Sequence, residues 1–221
     1  ASWDYRVVLG VIAVLTMLGG AILAVTQTDI KRLLAYSSIA NAGYLLVGVL
    51  ASDANGAPAK DGLSSSMFYL VAYGFTVIAA FGVVTLVRDA DGEATHLSRW
   101  AGLAKRSPIL ATVFTFLMLA FAGIPLTSGF SSKYAVFSAA ISNEVWLVIF
   151  GVVSSMILAF PYLRVVVLMW LSEPGENAPT VSVPGALTSA ALAIGTLATL
   201  VLGVAFQPLL DLSNRAADFV R

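Results

Sequence analysis

The sequence predicts an all-α, polytopic transmembrane helix bundle with one interrupted helix, and three observations carry that prediction. Of 221 residues, 59% are hydrophobic and 11% are charged, against about 25% Lys, Arg, Glu and Asp in an ordinary soluble domain. Long apolar stretches recur along the chain, each near the ~20 residues that a helix needs to cross the hydrocarbon core. One of them is broken around Pro125 and carries Lys133 beyond the break. So few charges cannot cover a water-exposed surface, which excludes a soluble globular fold. Twelve basic residues balance twelve acidic ones, so there is no excess of positive charge with which to bind nucleic acid. Without cysteine, disulfides, thiolate metal sites and cysteine nucleophiles are excluded. His96 is the one histidine, which excludes a bis-histidine haem or a His-rich cluster. No catalytic, cofactor-binding or metal-ligating residue is assigned.

Six spans follow in order. The first, Val7 to Val25, is uncharged; the second, Ile30 to Leu50, opens with Lys31 and Arg32 and is uncharged thereafter. The third runs from Met67 to Val87. The fourth, Ile109 to about Ile124, meets Pro125 and a polar segment, then resumes from Phe130 to Ile141. The fifth, Val145 to Leu171, contains Pro161 and Arg164, and the sixth is Ala186 to Phe206. The first span lacks a basic leader and a cleavage pattern and is followed by further spans, so it is not read as a signal peptide. The chain starts at Ala1 rather than Met, and a processed or truncated amino terminus is expected.

An even number of crossings puts both ends on one side. That side collects Arg6, Lys60, Arg215 and Arg221; the other collects Lys31, Arg32, Arg88, Arg99, Lys105, Arg106 and Arg164. Cytoplasmic loops are the ones enriched in Lys and Arg, so both ends are expected on the non-cytoplasmic side. The segment 53–62 reads as a Gly/Pro turn region. Within 89–107, LSRWAGLAKRSP is expected to form a short interfacial helix anchored by Trp100. The segment 173–184 reads as an irregular acidic loop, and Glu144 is expected to be solvated. The tail 207–221 is read as an interfacial helix with Leu209, Leu210, Leu212, Ala216, Ala217 and Phe219 on one face.

The segment Ala122-Gly-Ile-Pro-Leu-Thr-Ser-Gly-Phe-Ser-Ser-Lys133 is the most informative. Pro125 removes a backbone donor, and Gly123 and Gly129 bracket Thr127 and Ser128. Broken helices at membrane depth persist only where protein or a watery cavity covers the freed backbone groups. In one reading the helix ends at Pro125 and Lys133 snorkels from a short re-entrant piece. In the other, Lys133 is a buried protonatable group in a hydrated path. A buried lysine can release its proton, and a nearby carboxylate would favour retaining it; arginine stays charged. Lys31 marks either the membrane boundary or the entrance to such a path, with Thr28 or Asp29 capping its helix. Ser37, Ser38 and Asn41 lie within reach of one face of the second span and serve either a water chain or helix contacts. Tyr69, Tyr73 and Thr76 form a stripe on the third span, read as packing, with Tyr73 also a candidate for the path. Arg164 is read as an interfacial anchor.

TQTDIKRLLAYSSIANAGYLLVG and LAFAGIPLTSGFSSKYAVF together resemble the antiporter-like subunits of respiratory complex I, the NADH-quinone oxidoreductase. FYLVAYGFTVIAAFGVV and LAGLAKRSPIL add a resemblance to the N-type subunits, equivalent to mitochondrial subunit 2. Tyr69 and Tyr73, standing where larger relatives have His/Lys-rich segments, favour that type. The resemblance implies a carboxy-terminal portion of such a subunit. Residues 1–171 would be five helices resembling the second antiporter-like repeat, and 172–221 a loop, a terminal helix and an interfacial tail. Lys133 then matches the lysine of the broken helix, in the outer half of the proton path, while Asn41 stands where N-type subunits often have histidine.

The implied function is that of a proton-translocating, non-redox subunit in a bacterial cell membrane. The candidate path is Lys133, Lys31, Ser37, Ser38, Asn41 and Tyr73, with Gly123, Pro125, Thr127 and Gly129 forming the break. The resemblance also implies partner subunits carrying NADH, FMN, iron–sulfur clusters and quinone. Neighbouring partners would be the antiporter-like subunit M, the small subunit K, the remainder of the same subunit, and lipid. A subunit of a multisubunit cation/proton antiporter or membrane-bound hydrogenase is the alternative within the transporter class. A purely structural scaffold is the other alternative.

Overall fold

The computed structural model describes residues 2–52, 60–175 and 177–218. Of the turn region expected at 53–62, residues 53–59 lie outside them, as do the side chain of Lys60, Phe219 and Arg221, whereas residues 60–62 form the first turn of α3 rather than a turn region. Helices α1 (Ser2–Val25), α2 (Ile30–Ala51) and α3 (Lys60–Leu86) come first. Two strands follow, β1 (Val87–Asp89) and β2 (Gly92–Glu93), then a 3-10 turn at Leu97–Trp100 and the single turn α4 (Leu103–Arg106). The broken span is α5 (Pro108–Ala122) and α6 (Ser128–Ala140); α7 (Val145–Leu171), β3 (Thr180–Val181), α8 (Ala186–Val204) and α9 (Gln207–Asp218) complete the chain. Helices α1, α2, α3, α7 and α8 are each long and apolar enough to cross a membrane, while α5 is shorter. The segment α3 starts seven residues before the expected Met67, because Ser64, Ser65 and Ser66 are buried and Ser65 and Ser66 satisfy their hydroxyls on the carbonyl of Gly62.

The bundle packs its small and aromatic residues inward and leaves long aliphatic ones outside. Buried Ala21, Ala24, Ala40, Ala79 and Ala80 let helices approach, and Tyr44, Tyr69, Phe114 and Tyr162 fill the space between them. Val8, Leu15, Leu70, Ile78, Met156, Leu187 and Leu197 are exposed, which suits a surface facing lipid or other apolar helices. Small residues at contacts are the expected device where lipid removes the hydrophobic drive between helices.

One end of the bundle is closed by a cap that periodicity did not reveal. Strand β1 pairs antiparallel with β2 on one side and with β3 on the other, joining the 87–107 connection to 173–184 in one three-stranded sheet. The acidic loop is therefore not wholly irregular. The amide of Ile30 donates to Thr95 and the amide of Leu97 to Thr28, tying the α1–α2 turn to the same cap. Trp100 is fully buried rather than interfacial. Its indole N–H donates to the carbonyl of Ala94 at 2.8 Å and its ring lies 4.8 Å from that of Phe114. Arg99 pairs with Asp89, Lys31 with Glu93, and Lys105 with Glu173.

At the opposite end, Arg6 bonds Glu144 at 2.6 Å, and Trp146 donates to the same carboxylate at 2.9 Å. Glu144 is thus held between α1 and α7 rather than solvated. Helix α9 turns Ser213 and Ala217 inward, whereas Leu212 is 60% exposed and does not share the face expected for it. Arg164 is exposed on α7.

Asp29 caps α2, accepting from the amide of Arg32 at 3.0 Å. Burial pushes its carboxyl up, but hydrogen bonds from Thr95 and from the Arg32 and Lys31 amides outweigh this and hold it below the ordinary carboxylate value. A depressed folded-state value means that the cap stabilises fully above the unfolded carboxylate range. That contribution fades as pH falls through it. Asp29→Ala is expected to lower stability by about 0.5–2 kcal/mol at neutral pH, and the difference from the parent should shrink towards pH 3, read as thermal midpoints of the purified assembly in detergent.

Candidate functional site

The break between α5 and α6 follows from local backbone rules. Gly123 takes a left-handed conformation with φ 81°, which glycine adopts without a Cβ penalty. Its amide donates to the carbonyl of Ala120 and that of Ile124 to Leu119, at 3.0 and 3.1 Å, the paired bonds of a Schellman ending. The carbonyl of Phe121 would meet the amide of residue 125 if the helix continued, and proline has no such amide. Leu126 is held at φ 72°, a strained conformation for a side chain of this kind. Thr127 stands at the N-cap position of α6 without a side-chain bond to the helix amides, its hydroxyl donating instead to the carbonyl of Ile124 at 2.7 Å.

Lys133 supplies the missing donor. Its Nζ donates to the Phe121 carbonyl at 2.9 Å and to Ser155 Oγ at 3.0 Å, and stands 5.4 Å from the centre of the Tyr44 ring. The residue is 7% exposed, so it does not snorkel to the boundary. Its charge lies at the carboxyl end of α5, where the helix dipole favours a cation. Among the described residues no carboxylate pairs with it, so the counter-ion that sequence reasoning entertained is not found there. Two glycines make this approach possible. A Cβ on Gly123 would stand 3.3 Å from Lys133 Cδ and Nζ, and one on Gly129 would fall 1.8 Å from the Ala120 carbonyl oxygen.

A cavity of about 10 Å³ adjoins the lysine, lined by Asn41, Tyr69, Tyr73, Thr76, Gly129, Ser132 and Lys133 together with Ala120 and Phe121. That is space on the order of one water molecule. Polar chains run from its wall into α2. Tyr69 donates its hydroxyl to Asn41 Oδ1, the Asn41 amide donates to the Ser37 carbonyl at 2.7 Å, and Ser37 bonds the Tyr162 hydroxyl. Tyr73 donates to Ser38 Oγ at 2.8 Å, and its ring stacks on Tyr69 with centres 6.0 Å apart. Tyr44 donates to Ser154 Oγ at 3.2 Å, which donates to the Met17 carbonyl at 2.8 Å.

Of the residues singled out from sequence, Lys133, Asn41, Tyr73 and Gly129 meet at one cavity, with Ser37 and Ser38 one hydrogen bond behind it. Lys31 does not join them. It sits in the first turn of α2, pairs with Glu93, and has a side chain 42% exposed. Sequence reasoning missed Ser155, Tyr44 and Ser132, and read Tyr69 and Thr76 as packing alone. Ser155 and Tyr44 come from helices distant in sequence, so spacing carried no sign of them. Ser132 carried one, since its hydroxyl lies in the same polar run as Lys133.

A family model described as "NADH:quinone oxidoreductase/Mrp antiporter, TM" matches residues 1–159. The chain belongs to the NADH:quinone oxidoreductase/Mrp antiporter transmembrane family. Among the relatives of this family, the NADH-quinone oxidoreductase subunit N of Salinispora arenicola is 73% identical over the whole of this chain, which covers 42% of that protein. The Mycobacterium tuberculosis subunit N is 52% identical over 99% of this chain, covering 41% of its own length. The chain therefore spans about two fifths of the relatives it matches. Among solved structures, respiratory complex I from Thermus thermophilus aligns with a TM-score of 0.78 and 28% identity over 92% of this chain and 44% of the other. The Mrp complex from Dietzia aligns with a TM-score of 0.80 and 26% identity over 97% and 47%. An antiporter-like bundle with an interrupted helix is thus the fold of this family member.

The close packing at the break yields a direct test. Gly129→Ala places a methyl group against the Ala120 carbonyl and should force α6 from α5, costing about 1–3 kcal/mol. The thermal midpoint of the purified assembly should fall by several degrees, and an unchanged midpoint would contradict the packing described.

Proposed function

We propose that this chain is the part of a proton-translocating, non-redox subunit of an NADH-quinone oxidoreductase in which Lys133 takes up and releases the proton. The observation that carries this reading is the set of partners around Nζ. An ammonium has three N–H donors; two are committed to the Phe121 carbonyl and Ser155 Oγ, and the third is free for the cavity and the Tyr44 ring. Loss of one proton leaves two N–H groups, enough to keep both fixed bonds. The lysine can therefore change charge without exposing the carbonyl that the break leaves unpaired. Arginine could not do this, because it does not deprotonate in proteins.

Asn41, Tyr69, Tyr73, Thr76 and Ser132 would pass the proton between Lys133 and water in the cavity, and Ser37, Ser38 and Tyr162 would extend the line into α2. The Schellman ending at Gly123 and the turn from Pro125 to Thr127 would hold the break open to hydration. Lys31 would act at the boundary, as part of the cap. Residues 1–171 would be the second antiporter-like repeat and 172–221 its terminal appendage, with both ends on the non-cytoplasmic side of a bacterial cell membrane. The similarity to subunits named for NADH-quinone oxidoreductase supports partner subunits that hold NADH, FMN, iron–sulfur clusters and quinone. Subunit M, subunit K, lipid and the remainder of the polypeptide would be the neighbours. Among the described residues no group of three or more His, Asp or Glu side chains could hold a metal ion.

The likeness to the Mrp complex favours a second reading, a cation/proton antiporter subunit using the same lysine. Copurification separates the two, since a complex that oxidises NADH supports the first.

Lys133→Ala, made in the full-length subunit and assayed in membrane vesicles, should give an assembled complex whose protons pumped per NADH oxidised fall severalfold. Lys133→Arg should fail in the same way, because charge without titration is insufficient. An assembled Lys133→Ala complex that pumps at the parent ratio would overturn the proposal. A scaffold role predicts instead lost assembly, with normal pumping in whatever assembles.

A further inference from the structure

We propose that α8 is a clamp on the helix break, and that Thr199 and Gly203 are positioning residues that set where Lys133 stands. This inference rests on the role given above to Lys133. Most of α8 points outward, with Leu187, Ile194, Leu197, Leu200 and Val204 exposed. Its inner line is Gly195, Thr199 and Gly203, one turn apart. That line meets the backbone of its neighbours. A Cβ on Gly195 would lie 2.8 Å from the Phe75 carbonyl oxygen, and one on Gly203 would lie 2.4 Å from the Leu126 carbonyl oxygen and 2.5 Å from Thr127 Cα. The helix thus rests directly on the strained link between α5 and α6, and covers freed backbone groups that hydrocarbon could not satisfy.

Two polar ties fasten it. Ser131 donates its hydroxyl to the Gly203 carbonyl at 3.0 Å. Thr76, on α3, lies 3.2 Å from Ser128 and 3.0 Å from Thr199, oxygen to oxygen. Thr199 also reaches the Gly195 carbonyl at 2.8 Å and Thr76 the Ala72 carbonyl at 3.0 Å. Each hydroxyl has one hydrogen, and one arrangement uses every hydrogen once along the whole line: Ser128 to Thr76, Thr76 to Thr199, Thr199 to the Gly195 carbonyl. Ser128 opens α6 and Ser131 lies a turn further on, two residues before Lys133. Thr76 also lines the cavity beside Lys133. The clamp therefore grips α6 on the side away from the lysine and ends in the wall of the lysine's own cavity. A shift of α8 would move that wall and the first turn of α6 together.

The test uses the full-length subunit in the assembled complex. Thr199→Val keeps the shape of the side chain and strands no donor, because Thr76 can turn its hydrogen to the Ala72 carbonyl. Protons pumped per NADH oxidised should fall by about twofold or more, with assembly intact, and Thr199→Ser should restore the ratio. Assembled Thr199→Val complex pumping at the parent ratio overturns the clamp. Should Thr199→Val not assemble, Ser131→Ala, which cuts the other tie, decides in the same assay: a reduced ratio supports the clamp and a parent ratio overturns it. Lys133→Ala separates the two claims. If it stops pumping while the clamp variants pump normally, the clamp alone fails; if it too pumps normally, the role of the lysine fails.

Discussion

The rest of the structure depends on one unpaired carbonyl. Pro125 has no amide to give to Phe121, and in an apolar interior an unsatisfied backbone group costs about 1–3 kcal/mol or more. Lys133 answers that deficit from twelve residues downstream, by bonding the Phe121 oxygen at 2.9 Å. For its chain to reach, Gly123 must lack a side chain, Gly129 must let α6 lie on α5, and Leu126 must accept a positive φ. The lysine head then needs a second partner, Ser155 on α7, and an aromatic face, Tyr44 on α2. A single missing N–H therefore draws four helices to one point and keeps an amine at membrane depth.

Around that point the polar residues are arranged by hydrogen supply. Asn41, Ser37, Ser38, Tyr69, Tyr73 and Tyr162 are buried or half-buried, and each finds a partner on its own or a neighbouring helix. Buried polar groups are stable only when satisfied in this way. The hydroxyl pairs here leave room for choice, since several oxygens can donate in either of two directions. A largely apolar shell thus encloses a reorientable polar seam, part of which lines the cavity beside the lysine.

The opposite constraint governs the ends. Charges are rare in this chain, and nearly all of them lie where water or another charge can receive them. At one end the sheet of β1, β2 and β3 gathers Arg99 with Asp89 and Lys31 with Glu93. At the other, Arg6 bridges to Glu144. The partly exposed pairs of the cap add little stability singly, and the buried Trp100 and the ladder bonds hold the cap together, whereas Arg6 and Glu144 are largely enclosed.

Composition and periodicity alone determined that the chain is a bundle of membrane-spanning helices, where each span lies to within seven residues, and that the fourth is broken at Pro125. They also singled out Lys133, because a charge inside an apolar run has no local reason to be there. Those properties are local: hydropathy, a missing amide and an out-of-place ammonium can be read residue by residue. The cap, the burial of Trp100, the pairing of Glu144 with Arg6 and the exclusion of Lys31 from the central cluster were decided only by the tertiary structure. So were the partners of Lys133 and the seat of α8 on the break. Each of these joins residues far apart in sequence, and hydrogen bonds across helices follow from how close two backbones come, which no spacing along a single chain specifies.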